Sequence, residues 1–156
     1  MTHKIVDVRR GAAYTGTEVP FTRSLQQIKA MLEKHNCKKI AEMKDAGNKY
    51  PLYTLAFEHQ GVSYIIEFPV TILVSEGGRT KNLNINVSGR IIHDRVKALL
   101  IAEEIEYMSF SQAMMEFIAV RSHDGIMVPL SQQIEECSGQ LPNGFDLRMC
   151  LPGGDN

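Results

Sequence analysis

The sequence contains no tryptophan, and it has only three cysteines among its 156 residues. Cys37, Cys137 and Cys150 are odd in number and far apart, which argues against a disulfide framework and indicates reduced thiols. A zinc site would need two closely spaced ligand pairs, and the nearest approach to one is His35 with Cys37. We therefore expect no metal and no cofactor, and we expect Cys37 to pack as a small hydrophobic residue.

Long apolar runs and an excess of charge are also missing. No stretch reaches the roughly 18 apolar residues of a membrane span, and the amino-terminal residues lack the apolar core of a signal peptide. Seventeen basic and 18 acidic residues leave a formal net charge of -1, so nothing draws the whole molecule to nucleic acid or to an anionic membrane. These absences predict a cytoplasmic protein with no membrane partner, in which any nucleic-acid binding comes from a local patch.

Apolar periodicity predicts a helix followed by antiparallel strands. Ser24 and Gln27 have the spacing of a capping box, and the helix that they open continues to about His35. After it the period changes to two, which is typical of strands with one buried face. The predicted strands are 40–43, 52–58 and 62–68, the last two forming a hairpin, with 70–74 as an extension at the edge.

The second half of the chain is predicted to be mainly helical. A glycine- and asparagine-rich exposed loop over 75–86 precedes the longest helical pattern in the sequence, over 88–108. Short helices follow, the last over 130–137. Asp124-Gly125 marks a tight turn between 119–120 and 126–128, which is typical of a small hairpin. The order is helix, three-stranded antiparallel sheet, long helix and short helices, which defines an α+β fold in the form of a two-layer sandwich.

Composition divides the chain into three parts. Residues 1–18 contain one β-like run over 4–8 and are either an edge strand or an N-terminal arm. Residues 19–138 are expected to form a single α+β domain. Residues 139–156 are rich in glycine and proline, so we expect a C-terminal tail without regular structure.

The long helix is expected to be enclosed on most sides, with only its cationic beginning open to a ligand. Basic side chains are concentrated in the preceding loop and in the first turns, where the helix N-terminus adds its own positive end. They predict binding of nucleic acid or of another phosphate-rich ligand. The alternative is that these are solvated surface charges and that Arg95 pairs with a glutamate. The candidate ligand-binding residues are Arg79, Lys81, Arg90, His93 and Lys97.

The same helix carries more apolar surface than one face of a sheet can cover. Ala98, Ile101 and Ile105 lie on a second apolar flank, which needs either the first helix or another subunit to bury it. This flank is the candidate interface for a homo-oligomer or for a host protein.

Acidic and histidine side chains are present, but they do not form a catalytic pattern. No Ser/His/Asp order, phosphate loop or HExxH spacing occurs. We therefore expect a protein that is not an enzyme, and we assign no catalytic residue. The acids and bases considered are Glu58, His59, Glu67, His93, Asp94 and Glu103.

A set of spaced residues follows the layout of a known family. They are Val19-Pro20, Arg23-Ser24, Ile28, Leu32, the hairpin, the segment from Arg95 to Leu100, Phe110, Ile118, Asp124-Gly125, Leu141-Pro142 and Leu151-Pro152. On these residues the chain, from residue 19 to about residue 152, resembles a family of small uncharacterised proteins encoded by phages, proviruses and other mobile elements of bacteria and archaea. The family has no assigned reaction, and the resemblance implies a mobile-element origin and suggests a part in blocking host defences.

These observations lead to one main hypothesis and one alternative. The main hypothesis is a small non-enzymatic binding protein of a phage or mobile element, which binds nucleic acid or another phosphate-rich ligand through the basic loop and helix start. The alternative is a protein–protein interaction module, homodimeric or directed at a host protein.

Overall fold

The computed structural model describes residues 5–9, 14–74 and 77–136. The predicted tail over 139–156 lies outside the described residues, and so do Cys137, Cys150, Leu141-Pro142 and Leu151-Pro152. The elements in chain order are β1 (Ile5–Arg9), α1 (Phe21–Lys34), β2 (Lys38–Asp45), β3 (Leu52–His59), β4 (Val62–Glu67), β5 (Val70–Val74), β6 (Lys81–Leu83), α2 (Ile85–Glu104), α3 (Phe110–Ala113), a 3-10 turn (Met115–Phe117), β7 (Ala119–Arg121), β8 (Met127–Pro129) and α4 (Leu130–Glu136).

The predicted three-stranded antiparallel sheet is confirmed, in the order β2-β3-β4. Leu55 lies opposite Ile66 in the central hairpin, and Phe57 lies opposite Tyr64. All four side chains are buried, because the alternation of apolar residues places them on the same face of the sheet. The tight turn at Asp124-Gly125 is confirmed as well, between β7 and β8, and Gly125 has the positive φ that such a turn requires.

A second sheet was not predicted. Strand β1 pairs in parallel with β5, and β5 pairs antiparallel with β6, so the order is β1-β5-β6. Two expectations are therefore wrong: 70–74 does not extend the first sheet, and 75–86 is not one long loop, because it contains β6 and the first two residues of α2. The parallel partners are far apart in the sequence, and such a pairing leaves no local signal.

Helix α1 begins at Phe21, after the extended residue Pro20, and no side chain caps it. The predicted capping box at Ser24 and Gln27 is wrong, because Ser24 lies inside the helix and is fully buried. Its buried position faces Gly89 of α2, where an added Cβ would lie 3.1 Å from the Cβ of Ser24. Ser24 is thus a small residue at a close helix–helix contact.

Helix α2 lies three to four residues nearer the amino terminus than predicted. Its first turn is capped by Asn84, whose side chain accepts a hydrogen bond from the Asn86 backbone N–H at 3.1 Å. Asn86 in turn accepts from the Phe21 backbone N–H at 2.9 Å, which joins the starts of the two helices. The helix ends at Glu104, and Glu106 has a positive φ of 58°, so the predicted end at residue 108 is wrong.

Helices α1 and α2 pack together against one face of the first sheet, which confirms the α+β, two-layer architecture. The core joins the two helices to the inward residues of β3 and β4 and to the segment after α2. Cys37 is part of this core, as expected of a small hydrophobic residue. Among the described residues, no helix is both long enough and apolar enough to cross a membrane.

Candidate functional site: the two ends of helix α2

The beginning of α2 is enclosed, which contradicts the expectation of an open cationic start. Val87, Ser88 and Gly89 are all buried, and so is His93 one turn later. Gly89 faces Phe21 and Ser24 of α1, and helix α2 also packs on β5. The first two turns therefore lie between other elements, and a ligand cannot approach them from most directions.

Asp94 neutralises the basic residues of this region. Its carboxylate lies 3.0 Å from a guanidinium nitrogen of Arg90 and 2.6 Å from Nδ1 of His93, and the Tyr14 hydroxyl donates to it. Burial alone raises the pKa of Asp94, but the hydrogen bonds from His93 and Tyr14 and the charge of Arg90 outweigh it and hold this pKa below its ordinary value. The carboxylate is therefore ionised at neutral pH and offsets the positive charge around it.

Two arginines of α2 are held by contacts within the chain. Arg90 also donates to the side-chain oxygen of Gln27 at 3.2 Å, so its guanidinium bridges the two helices. Arg95 makes a two-pronged ion pair with Glu116, as the alternative interpretation predicted, with its Nε 3.0 Å from a carboxylate oxygen. Both guanidinium groups already donate hydrogen bonds to residues of the same chain, so fewer of their donors are available to a phosphate.

The structure does not gather the five candidate ligand-binding residues on one surface. Arg79 is exposed in the turn before β6, and Lys81 lies on β6, 3.3 Å from Asp7 of β1. Arg90 and His93 surround Asp94, whereas Lys97 is exposed about 10 Å further along the helix axis from Arg90. Of these five candidates, Arg79 and Lys97 are the two that are exposed and have no ion-pair partner among the described residues.

One side of the other end of α2 is open to solvent, while Leu100 on the opposite side is buried. Ala98, Ile101 and Ile105, the three candidate interface residues, are all exposed, Ile101 by 45% and Ile105 by 70%. They follow one another at intervals of three and four residues, so they share a face of the helix and its final turn. The residues after the helix add Tyr107 and Met108, which are exposed by 73% and 37% and were not predicted. We call these five residues the α2-end patch.

An ion-pair cluster on another side of the helix holds this end in place. His35, just after α1, lies 2.8 Å through Nδ1 from Glu103 and 3.1 Å through Nε2 from Glu104. Lys34 lies 3.0 Å from the same Glu104 oxygen. Helix α2 is thus tied to the end of α1, so the α2-end patch is presented on an anchored helix.

The acids and bases considered for catalysis lie in separate surroundings. Glu58 pairs with Lys39 at 2.8 Å, and Glu103 belongs to the cluster with His35. The His59 ring stacks on Phe110 with centroids 3.8 Å apart, and burial lowers the pKa of His59, which favours its neutral form. His93 and Asp94 form the pair described above, and Glu67 lies apart from all of these.

Glu67 lines a cavity that the sequence did not reveal. The cavity has a volume of about 380 Å³ and lies where the end of β4 meets β1, α2, the 3-10 turn and the start of α4. Burial raises the pKa of Glu67 to about 7. Only the position of Glu67 at the end of a strand was readable from the sequence, because the cavity walls come from five separate segments.

In the described part of the chain, neither Cys37 nor the residues that commonly bind metals form a further reactive or metal-binding site. Burial raises the pKa of the Cys37 thiol to about 12, so it is not a thiolate at neutral pH. No three His, Cys, Asp or Glu side chains among the described residues are arranged to hold a metal ion.

Comparison with known proteins finds no match among family models, curated proteins or solved structures. The resemblance to mobile-element proteins therefore stays a prediction.

Proposed function

We propose that this protein is a non-enzymatic protein–protein interaction module that binds through the α2-end patch. The observation that carries the proposal is the exposure of Ile101 and Ile105 at the end of a helix whose other large apolar residues are buried or half-buried. Large apolar side chains grouped on one exposed face commonly mark an interaction surface. The cluster around His35 supports the proposal, because an anchored helix end loses little conformational freedom on binding.

The partner that the patch fits most simply is a second copy of this chain. A two-fold contact brings the same patch of both subunits together, and the small side chain of Ala98 lets two helices approach closely. If two antiparallel α2 helices cross at Ile101, Lys97 of one lies beside the final turn of the other, which is followed by the exposed Glu106. The charges are therefore complementary around an apolar centre.

The test is the mass of the chain in solution, measured by light scattering after size exclusion at several concentrations. The wild-type chain is expected to dimerise, and Ile101→Asp is expected to be monomeric, because a carboxylate would be buried in the contact. Ile126→Asp is the matched control, since Ile126 is 48% exposed on the β7–β8 turn. A wild-type chain that stays monomeric at all concentrations would contradict self-association.

A second candidate is the binding of nucleic acid or another phosphate-rich ligand, as the sequence predicts. The observation in its favour is that Arg79 and Lys97 are exposed and unpaired within the described part of the chain. The double variant Arg79→Glu, Lys97→Glu should lose retention on a DNA or RNA column at low salt, whereas Lys38→Glu should not. Equal retention of the wild type and the double variant would remove this candidate.

The mobile-element origin and a cytoplasmic location belong to the same proposal. A small interaction module of this kind would suit a protein that modulates a host factor, and a host protein is then the alternative partner of the α2-end patch. Crosslinking in the host cell, compared between the wild type and Ile101→Asp, would distinguish a host partner from a second copy.

A further inference from the structure

A second cavity lies between helix α1 and the strands β2 and β3, separate from the α2-end patch. Its volume is about 460 Å³, which falls in the size range of small-molecule sites. Phe21, Leu25, Tyr53 and Phe68 supply its apolar lining. The Phe21 ring packs against Tyr53 with centroids 4.7 Å apart and edge-on against Phe68 at 5.2 Å. Aromatic rings that support one another thus form much of this lining, which suits a ligand with a flat apolar body.

Three charged side chains line this cavity, and together they leave one positive charge in excess. Lys29 and Glu42 pair with each other, with the Lys29 Nζ 2.6 Å from a carboxylate oxygen. Lys44, which follows Glu42 by two residues on β2, is exposed and has no ion-pair partner among the described residues. Its Nζ lies 5.6 Å from the centroid of the Tyr53 ring. The excess positive charge is therefore located directly beside the aromatic lining.

The carboxylate that follows Lys44 in the sequence has its own donors. Asp45 accepts hydrogen bonds from the Gly47 backbone N–H at 2.8 Å and from the Asn48 side-chain amide at 3.1 Å, so it is held in the turn after β2. An ammonium group carries three N–H donors, and all those of Lys44 are available to a ligand's acceptor oxygens. The polar part of the lining thus favours a ligand that accepts hydrogen bonds and carries negative charge.

We infer that the cavity between α1 and β2 is a binding site for a small organic anion, a carboxylate on a short aromatic body. The carboxylate meets the ammonium group of Lys44, and the aromatic body lies against Phe21 and Tyr53. Burial of the apolar body supplies most of the affinity, because an ion pair with an exposed lysine is screened by solvent. The ion pair then decides which charge the ligand carries.

The experiment is a titration of the full chain, followed by calorimetry and by amide NMR shifts, with three probes of the same skeleton. 3-Phenylpropionate is an anion, 3-phenylpropanamide is neutral, and 3-phenylpropylamine is a cation. The anion is expected to bind at least about threefold more tightly than the amide, and the amine to bind most weakly. Equal binding of anion and amide would overturn the inference, and so would failure of the anion to bind at millimolar concentration.

Substitutions at three exposed positions of β2 locate the site without disturbing the core. Lys44→Gln should weaken binding of 3-phenylpropionate at least about threefold and leave binding of the amide unchanged. The matched control is Lys38→Gln, on the same strand but outside the cavity lining, which should leave the binding of both probes unchanged. Glu42→Gln should tighten anion binding, because it removes a negative charge and releases Lys29.

Two results would contradict the assignment. One is an unchanged affinity of Lys44→Gln for the anion, and the other is an equal loss in Lys44→Gln and Lys38→Gln, which would mean that only the overall charge of the chain matters.

Discussion

Both sides of α2 carry isoleucine, but they differ in how they are covered. Ile92, near the beginning, is 5% exposed, whereas Ile101, nine residues later, is 45% exposed. Both belong to the same helix and the same residue type. The two side chains lie on opposite sides of the helix, because nine residues at about 100° each amount to half a turn beyond two full turns. Ile92 is on the side that also buries Val96 and Leu100 against the core, and Ile101 is on the open side. Apolar content along a helix therefore does not tell which part of it is available to a partner.

The largest effect is expected when the two isoleucines are compared directly. Ile92→Ala removes buried carbon atoms from the core and should lower the free energy of unfolding by about 2–5 kcal/mol. Ile101→Ala should change it by less than about 1 kcal/mol in the monomer, since little buried surface is lost there. Urea unfolding at low protein concentration measures both. Equal losses in the two variants would show that the two sides of α2 are covered alike.

A smaller effect is expected from adding volume instead of removing it. In Gly89→Val the new side chain would meet Phe21 and Ser24, because even its Cβ would lie 3.0 Å from the Phe21 ring and 3.1 Å from the Ser24 Cβ. We expect a loss of about 1–3 kcal/mol. Ala98→Val, at an exposed position, should lower the free energy of unfolding by no more than about 0.7 kcal/mol, which is the difference in helix propensity between the two residues. Thermal melting of the pair tests this, and an undiminished melting temperature in Gly89→Val would mean that α1 and α2 do not pack closely.

Glu67, in the cavity beside α2, should make the stability of the protein depend on pH. The pKa of Glu67 is raised to about 7, so its contribution to stability is fully present below its ordinary value and is lost as the pH rises through about 7. Glu67→Gln lacks this loss and should be more stable than the wild type at pH 8 by about 1 kcal/mol, a value reduced for partial exposure. At pH 4 the two should unfold alike. Melting curves of the wild type and Glu67→Gln at both pH values test this prediction. A variant that is less stable than the wild type at pH 8 would contradict it.

The smallest effect concerns the charges near the covered end. Asp94→Asn removes the carboxylate that pairs with Arg90 and His93, and we expect a loss of about 1 kcal/mol at pH 6. The pKa of Asp94 is held below its ordinary value, so its contribution is present above that value and is lost as the pH falls through the lower folded-state value. The difference between the wild type and Asp94→Asn should therefore shrink in acid. An undiminished difference at pH 2 would assign the effect to packing instead.

Local patterns predicted much of the first sheet. The alternation in β3 and β4 is carried by neighbouring residues, and the two-residue turn Gln60-Gly61 joins the strands, so the hairpin and its buried face were readable from the sequence. The second sheet was not, because Ile5 pairs with Val70 and no property of either run indicates the other. The observed limits of α2 differ from the predicted ones for a related reason. Asn84 caps α2, and asparagine in a glycine-rich segment is equally typical of a loop.

The candidate sites were predicted unevenly. Ala98, Ile101 and Ile105 were singled out from helical spacing, and the structure leaves all three exposed. The cationic residues were also readable as a list, and the alternative interpretation predicted that Arg95 pairs with a glutamate. Which glutamate was not readable, because Glu116 lies on a separate element. The Glu67 cavity was missed, since it exists only where distant segments meet.

The amino-acid sequence by itself determined which segments form strands and helices with one apolar side, and where tight turns join them, because these properties depend on residues a few positions apart. Tertiary structure alone decided which side of α2 is covered, which charges are neutralised, and that a cavity opens beside Glu67. Those outcomes depend on which distant surfaces meet, and burial and electrostatic pairing are properties of the meeting surfaces and not of either segment.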